Sequence, residues 1–151
     1  MIKIIRTDSA NQDFIDLVKL LDAVLAELDG DDHAFYSQFN NTNKLKYVVV
    51  AYENDNPVAC GAIRELSPGV MEVKRMYTSP ESRGKGIATK VLLELEKWAT
   101  ELFCYICKLE TGKRQPEAIS LYKRNGYKII PNYSQYAAME NSVCFEKELK
   151  K

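Results

Sequence analysis

Apolar residues change their spacing several times along the chain, and each change predicts an element. Residues 2–6 form a short apolar run of the kind found in a strand. Phe14, Leu17, Val18, Leu21, Val24, Leu25 and Leu28 then recur at intervals of three and four, which places them on one stripe of a helix over 13–29, with Gly30 as its stop. A short second helix over 31–39 would carry Phe35, Tyr36 and Phe39 ahead of the polar loop NNTNK. Residues 46–53 are rich in β-branched and aromatic side chains, and NDNP then turns the chain into 58–65, so the pair predicts a hairpin. LSPG turns the chain again into a strand over 70–78, which ends at Ser79 and Pro80.

The clearest helix follows, because Ile87, Val91, Leu95, Trp98 and Leu102 share one face. A strand over 104–110 comes next. Pro116 suits a first helical turn and opens a helix that Asn125 and Gly126 close. Strands over 127–130 and 142–149 complete the series, separated by a loop with Pro131, Tyr133 and Tyr136. The order is therefore β-α-α-β-β-β-α-β-α-β-β. Short turns between consecutive strands imply an antiparallel meander, and the two strand–helix–strand connections can each carry a parallel crossover. The fold class expected is α+β, a mixed central sheet of about six or seven strands flanked by about four helices on both faces. With 151 residues, 46% of them hydrophobic, the chain is expected to be a single domain over 1–151.

Charge narrows the partners. Lys plus Arg and Asp plus Glu are 21 each, so no net field gathers nucleic acid or anionic lipid. No run approaches the roughly 20 apolar residues that span a bilayer, and a cytoplasmic protein is expected. Homodimerisation stays open. Cys104 and Cys107 have CxxC spacing, but no second pair exists and His33, the one histidine, is distant in sequence. Read as strand residues three apart, the two thiols would point to opposite faces, so the expectation is buried reduced thiols and no metal.

Candidate chemistry concentrates where the strand over 70–78 feeds the long helix. Arg83, Gly84, Lys85, Gly86, Ile87, Ala88 and Thr89 place several backbone N–H groups at a helix N-terminus, with two residues that lack a Cβ and two cations beside them. That arrangement suits a pyrophosphate; the alternative is a loop whose glycines serve only tight strand-to-helix packing. Two nucleotide motifs do not fit. A Walker A loop needs four residues between its glycines, and a dinucleotide fingerprint would need glycine where Thr89 stands.

The run from Arg83 to Ala88 resembles the R/Q-x-x-G-x-G/A signature of the GNAT N-acetyltransferase superfamily, and LETGKRQPEAISLYKRNGY resembles that superfamily's next strand and helix. LETG, PEAI-x-LY and the late SVCFEK run are similar to those of small bacterial members. Thr78 in place of a frequent valine, Ala88 as the permitted alternative to glycine, and Gln115 in place of asparagine are the departures. The resemblance implies a GNAT fold and an N-acetyltransferase that takes acetyl-CoA as cosubstrate, without metal, and passes the acetyl group to an amine by direct attack in a ternary complex. A small-molecule acceptor is expected ahead of a protein lysine or N-terminus, with a non-catalytic acyl-CoA-binding module as the reading from another class. Pantetheine would lie along Met76, Tyr77 and Thr78, pyrophosphate on Arg83 to Thr89, and Gln115 would touch the cofactor. Tyr122 matches the tyrosine that protonates the leaving thiolate in family members, and Glu110 matches a position used as base in some. Glu72 is the competing base. Tyr133 and Tyr136 are candidates for the acceptor pocket, or ordinary packing lids.

Overall fold

A computed structural model describes residues 1–37 and 44–149, and for Ser37 the backbone alone. Its strands are β1 (Ile2–Thr7), β2 (Tyr47–Glu53), β3 (Asn56–Ser67), β4 (Val70–Thr78), β5 (Ile106–Gly112), β6 (Lys128–Ile130) and β7 (Ser142–Glu148). The α-helices are α1 (Gln12–Asp29), α2 (His33–Ser37), α3 (Ile87–Glu101) and α4 (Pro116–Arg124). Phe39, the expected end of the second helix, and most of the NNTNK loop lie outside the described residues.

All seven strands join one sheet in the order β1-β2-β3-β4-β5-β7-β6. The meander from β1 to β4 is antiparallel throughout, and α3 then carries the chain to β5, which runs parallel to β4. The second crossover keeps the expected parallel sense but skips a position in the sheet. The chain passes through α4 to β6 at the edge of the sheet, and β7 inserts between β5 and β6, antiparallel to both.

Alternation along β2 explains why helices cover both faces. Val48 and Val50 pack with Phe14, Leu17, Val18 and Leu21 of α1, while Val49 and Ala51 pack with Val91, Leu92 and Leu95 of α3 on the other face. Truncating a fully buried leucine such as Leu95 to alanine would cost about 2–5 kcal/mol. Gly61 permits the close approach of α3: a Cβ there would collide with Met76 Sδ and stand 2.9 Å from Leu95 Cδ1.

β5 starts two residues later than its apolar pattern suggests. Phe103 adopts a left-handed φ of 66° and Cys104 N–H still bonds back to Ala99 C=O at 3.0 Å, so Cys104 belongs to the turn out of α3. The two thiols therefore do not face opposite sides; both lie in the core on the α3 side. All four cysteines are buried and free, and no group of three metal-ligating side chains occurs among the described residues. Within the described residues no helix is long and apolar enough to cross a membrane.

Candidate active site

The site originates in a defect of the sheet. Cys60 lies opposite Tyr77 and Ala62 opposite Lys74, so two residues of β4, Arg75 and Met76, share the single partner Gly61. Arg75 takes a left-handed φ of 58°, the signature of a bulge that bends the strand and re-aims the residues beyond it. Its guanidinium, 2% exposed, pairs with Asp22 of α1. By this point β4 has already left β5: the two pair only at Val70 with Ile106, Met71 with Cys107 and Glu72 with Lys108. The opened V becomes a cleft of about 1120 Å³, lined by residues 72–78 of β4, by 110–112 of β5 and by the starts of α3 and α4. Its volume slightly exceeds that of an ordinary small-molecule pocket.

At one mouth of the cleft stands the start of α3. Asn11 caps α1, accepting the N–H of Phe14 at 3.0 Å. No side chain among the described residues does the same for α3, whose N-cap is Gly86. Its first-turn N–H groups are left for a ligand or water. Gly84 and Gly86 have φ of 79° and 78°, and a Cβ on either would meet nothing within 4 Å. Close packing therefore does not explain these glycines; they supply a left-handed turn and an open surface. Gly84, Gly86, Ile87, Ala88 and Thr89 line the cleft, as do Met76, Tyr77, Thr78 and Gln115. Arg83 also lines it, with its Nε donating to Thr78 C=O at 3.0 Å and a looser approach of 3.7 Å to Glu117. Lys85 does not. Its ammonium pairs with Glu53 at 3.0 Å, which directs it toward β2.

The other end is built from scattered residues. Tyr122 of α4 is held edge-on by Tyr127, with ring centroids 5.7 Å apart, and against Phe145 at 5.8 Å. Glu72, 2% exposed, has both oxygens engaged: Oε1 accepts from Arg64 Nε at 2.8 Å and Oε2 from Tyr133 O–H at 2.7 Å. Tyr133 thus braces Glu72 and is not part of the lining, whereas Tyr136 is. Glu110 is half-buried, and its Oε2 accepts from Ser142 Oγ at 2.8 Å. Its Oε1 has no donor among the described residues, so one carboxylate oxygen is available to the cleft. Val24, Leu25 and Leu28 of α1 and Tyr36 of α2 close this end.

Over residues 14–127 the chain matches the acetyltransferase (GNAT) family. A relative from Azospirillum brasilense named IAA acetyltransferase is 30% identical over 138 residues, covering 89% of this chain and 90% of that protein. The solved structure of a Klebsiella pneumoniae protein to which acyl-CoA N-acyltransferase activity has been ascribed superposes with a TM-score of 0.84 and 32% identity, over 99% of both chains. PaiA N-acetyltransferase from Thermoplasma acidophilum, solved with coenzyme A, shares the fold at 16% identity and a TM-score of 0.71, over 98% of this chain and 99% of that one. This chain belongs to the GNAT family. It is an N-acetyltransferase that draws on an acyl-CoA.

Electrostatics in the acetyltransferase divide the ionisable groups of the cleft. Burial pushes the Glu110 carboxyl up to about 7, offset in part by the Ser142 hydrogen bond and by Lys74. Burial also raises the Tyr122 phenol, with the nearby Glu110 charge adding to it, so this hydroxyl keeps its proton through the neutral range. Lys74 is lowered by burial. Cys60 and Cys107 are pushed up to about 12 by burial, which leaves them as thiols.

Pattern reading missed Ser142, Lys74, Asp29 and Arg114 and gave Tyr36 only an apolar role. Lys74, Asp29, Arg114 and Tyr36 line the cleft, and Ser142 bonds the carboxylate that does. Ser142 stood in the SVCFEK run, but only the ladder that sets Ser142 opposite Gly112 brings it to Glu110.

Proposed function

We propose that this acetyltransferase transfers the acetyl group of acetyl-CoA to the primary amine of a small molecule. The observation that carries the reading is the splay of β4 from β5, which makes one cleft continuous from the uncapped start of α3 to Tyr122 and Glu110. A pyrophosphate suits the first-turn N–H groups of α3 and the Gly84–Gly86 surface. A pantetheine arm, with its two amides, suits the β4 edge at Met76, Tyr77 and Thr78, which has lost its neighbouring strand. Gln115, at the start of α4, is placed to touch the same arm.

An ammonium of pKa about 10 must shed a proton before it attacks a thioester carbonyl, and Glu110 is the base. It offers an open oxygen and a raised pKa, while both oxygens of Glu72 serve its own ion pair and Tyr133. As the carbon–sulfur bond breaks, Tyr122 donates its proton to the leaving thiolate. Direct attack suits the buried cysteines, none of which is poised as a nucleophile. A small acceptor suits an end walled by α1, Tyr36 and Tyr136.

Thiol release from acetyl-CoA across a panel of small amines, amino acids and peptides tests this. Turnover is expected with small amines, and Tyr122→Phe should keep acetyl-CoA affinity while kcat falls on the order of 10²-fold or more. Turnover confined to peptides would overturn the acceptor class, and full activity of Tyr122→Phe would remove the acid.

A further inference from the structure

Three hydroxyl and carboxyl groups from distant parts of the chain form a line beside the cleft. Tyr36 O–H and Ser142 Oγ are 2.7 Å apart, and Ser142 Oγ donates to Glu110 Oε2 at 2.8 Å. A serine hydroxyl has one proton. With it committed to the carboxylate, the bond to Tyr36 must be donated by the phenol, so the line has a direction: Tyr36 to Ser142 to Glu110. Each member is fixed in place. Ser142 is 3% exposed and sits opposite Gly112, two residues from Glu110 and so on the same face of β5. Asn132 Nδ2 holds the Ser142 carbonyl at 3.2 Å. Tyr36 stacks on Tyr136 with ring centroids 6.3 Å apart and meets Phe35 edge-on at 5.5 Å.

We propose that Ser142 and Tyr36 are positioning residues that hold one oxygen of Glu110 and turn the other into the cleft. The same hydrogen bond from Ser142 favours the ionised carboxylate against the effect of burial. The function of this line rests on reading Glu110 as the base. The charged groups around Glu110 do not do this work alone. Lys74 of β4 favours the carboxylate, while Glu72 of β4 and Asp29 of α1 oppose it. Four other ionisable groups in and beside this line stay neutral: burial raises the phenols of Tyr36, Tyr122 and Tyr136 and pushes the Cys144 thiol up to about 11. Hydrogen bonding to the charged form is then what the Ser142 hydroxyl adds.

The test is the titration of the Glu110 carboxyl carbon by NMR in the full chain, which needs no acceptor, assigned by loss of its signal in Glu110→Gln. Ser142→Ala should move the midpoint up by about 1 pH unit, the size of one charge-assisted hydrogen bond. Tyr36→Phe removes a single oxygen and should move it in the same direction by roughly half as much; it carries the test if Ser142→Ala does not fold. With an acceptor identified, the acidic limb of kcat/KM should move by the same amounts. An unshifted midpoint in a folded variant overturns the positioning role, whatever the activity. Full activity of Glu110→Gln would instead overturn the base, and the NMR shifts would remain to report the contact.

Discussion

At one end of the cleft, a single stretch of chain from Arg83 to Thr89 presents backbone N–H groups and two glycines with open space over them. At the other, Tyr36, Glu110, Tyr122 and Ser142 arrive from α2, β5, α4 and β7, and each is set by the packing of its own element. The first end is a piece of local geometry, a left-handed turn into an uncapped helix, and works for any chain that makes that turn. The second exists only after the sheet has formed, because β7 must insert beside β5 before a hydroxyl can reach Glu110. The two ends therefore differ in what breaks them: the first is sensitive to backbone and bulk, the second to single oxygen atoms.

The largest effect should come from placing bulk and charge on the first end. Gly86→Glu puts a carboxylate where phosphate is expected and should weaken acetyl-CoA binding by about 10²-fold or more, read by calorimetry. The left-handed φ of 78° costs the variant about 1–3 kcal/mol of stability, which thermal melts should register without loss of fold. Glu110→Gln comes next. Because burial pushes the carboxyl up to about 7, a Glu110 that acts as base should show its greatest rate loss above that pH and below an amine acceptor's own pKa of about 10, where the carboxylate is ionised and the amine is not yet neutral. A loss of about 10-fold or more in kcat/KM at pH 8, shrinking toward pH 10, is expected. Equal loss at every pH would mean that the variant merely disturbs packing.

Removing a side chain from the first end should matter less. Arg83 is 43% exposed and tethered to Thr78, so Arg83→Ala should weaken acetyl-CoA binding by less than about 10-fold, and less still at high salt. A collapse of binding would show that this end relies on charge, not backbone. Smallest is a stability effect at the second end. Glu110 holds its proton more tightly folded than unfolded, so the native state binds the extra proton between the unfolded pKa near 4.5 and about 7, and stability falls as pH rises across that interval. The melting temperature should therefore drop by a few degrees between pH 5 and 8 in wild type and by less in Glu110→Gln.

The same contrast governs how far each end was legible in the sequence. Gly84, Gly86 and the stripe from Ile87 to Leu102 are neighbours in sequence, so their spacing alone gives a turn and a helix. Tyr122 could be named because its motif lies within one helix. Ser142 and Tyr36 could not, since 106 residues separate them and only the sheet brings them together. Lys85 shows the limit within a legible motif: the run supplies a cation, but Glu53 across on β2 decides where it points. Glu72 and Tyr133 show it again, because each alone resembles a site residue and their mutual bond gives them a bracing role. The inserted position of β7 carried no local signal either, as the pattern gives strands and not their order.

Amide hydrogen exchange with and without acetyl-CoA tests the central claim, that a single cleft between β4 and β5 takes the cosubstrate from phosphate to thioester. Protection is expected on two separate stretches at once, the β4 edge over 76–78 and the helix start over 84–89, with little change on the outer face of α1 or at β6. Protection confined to the helix start, or appearing outside the cleft, would contradict it.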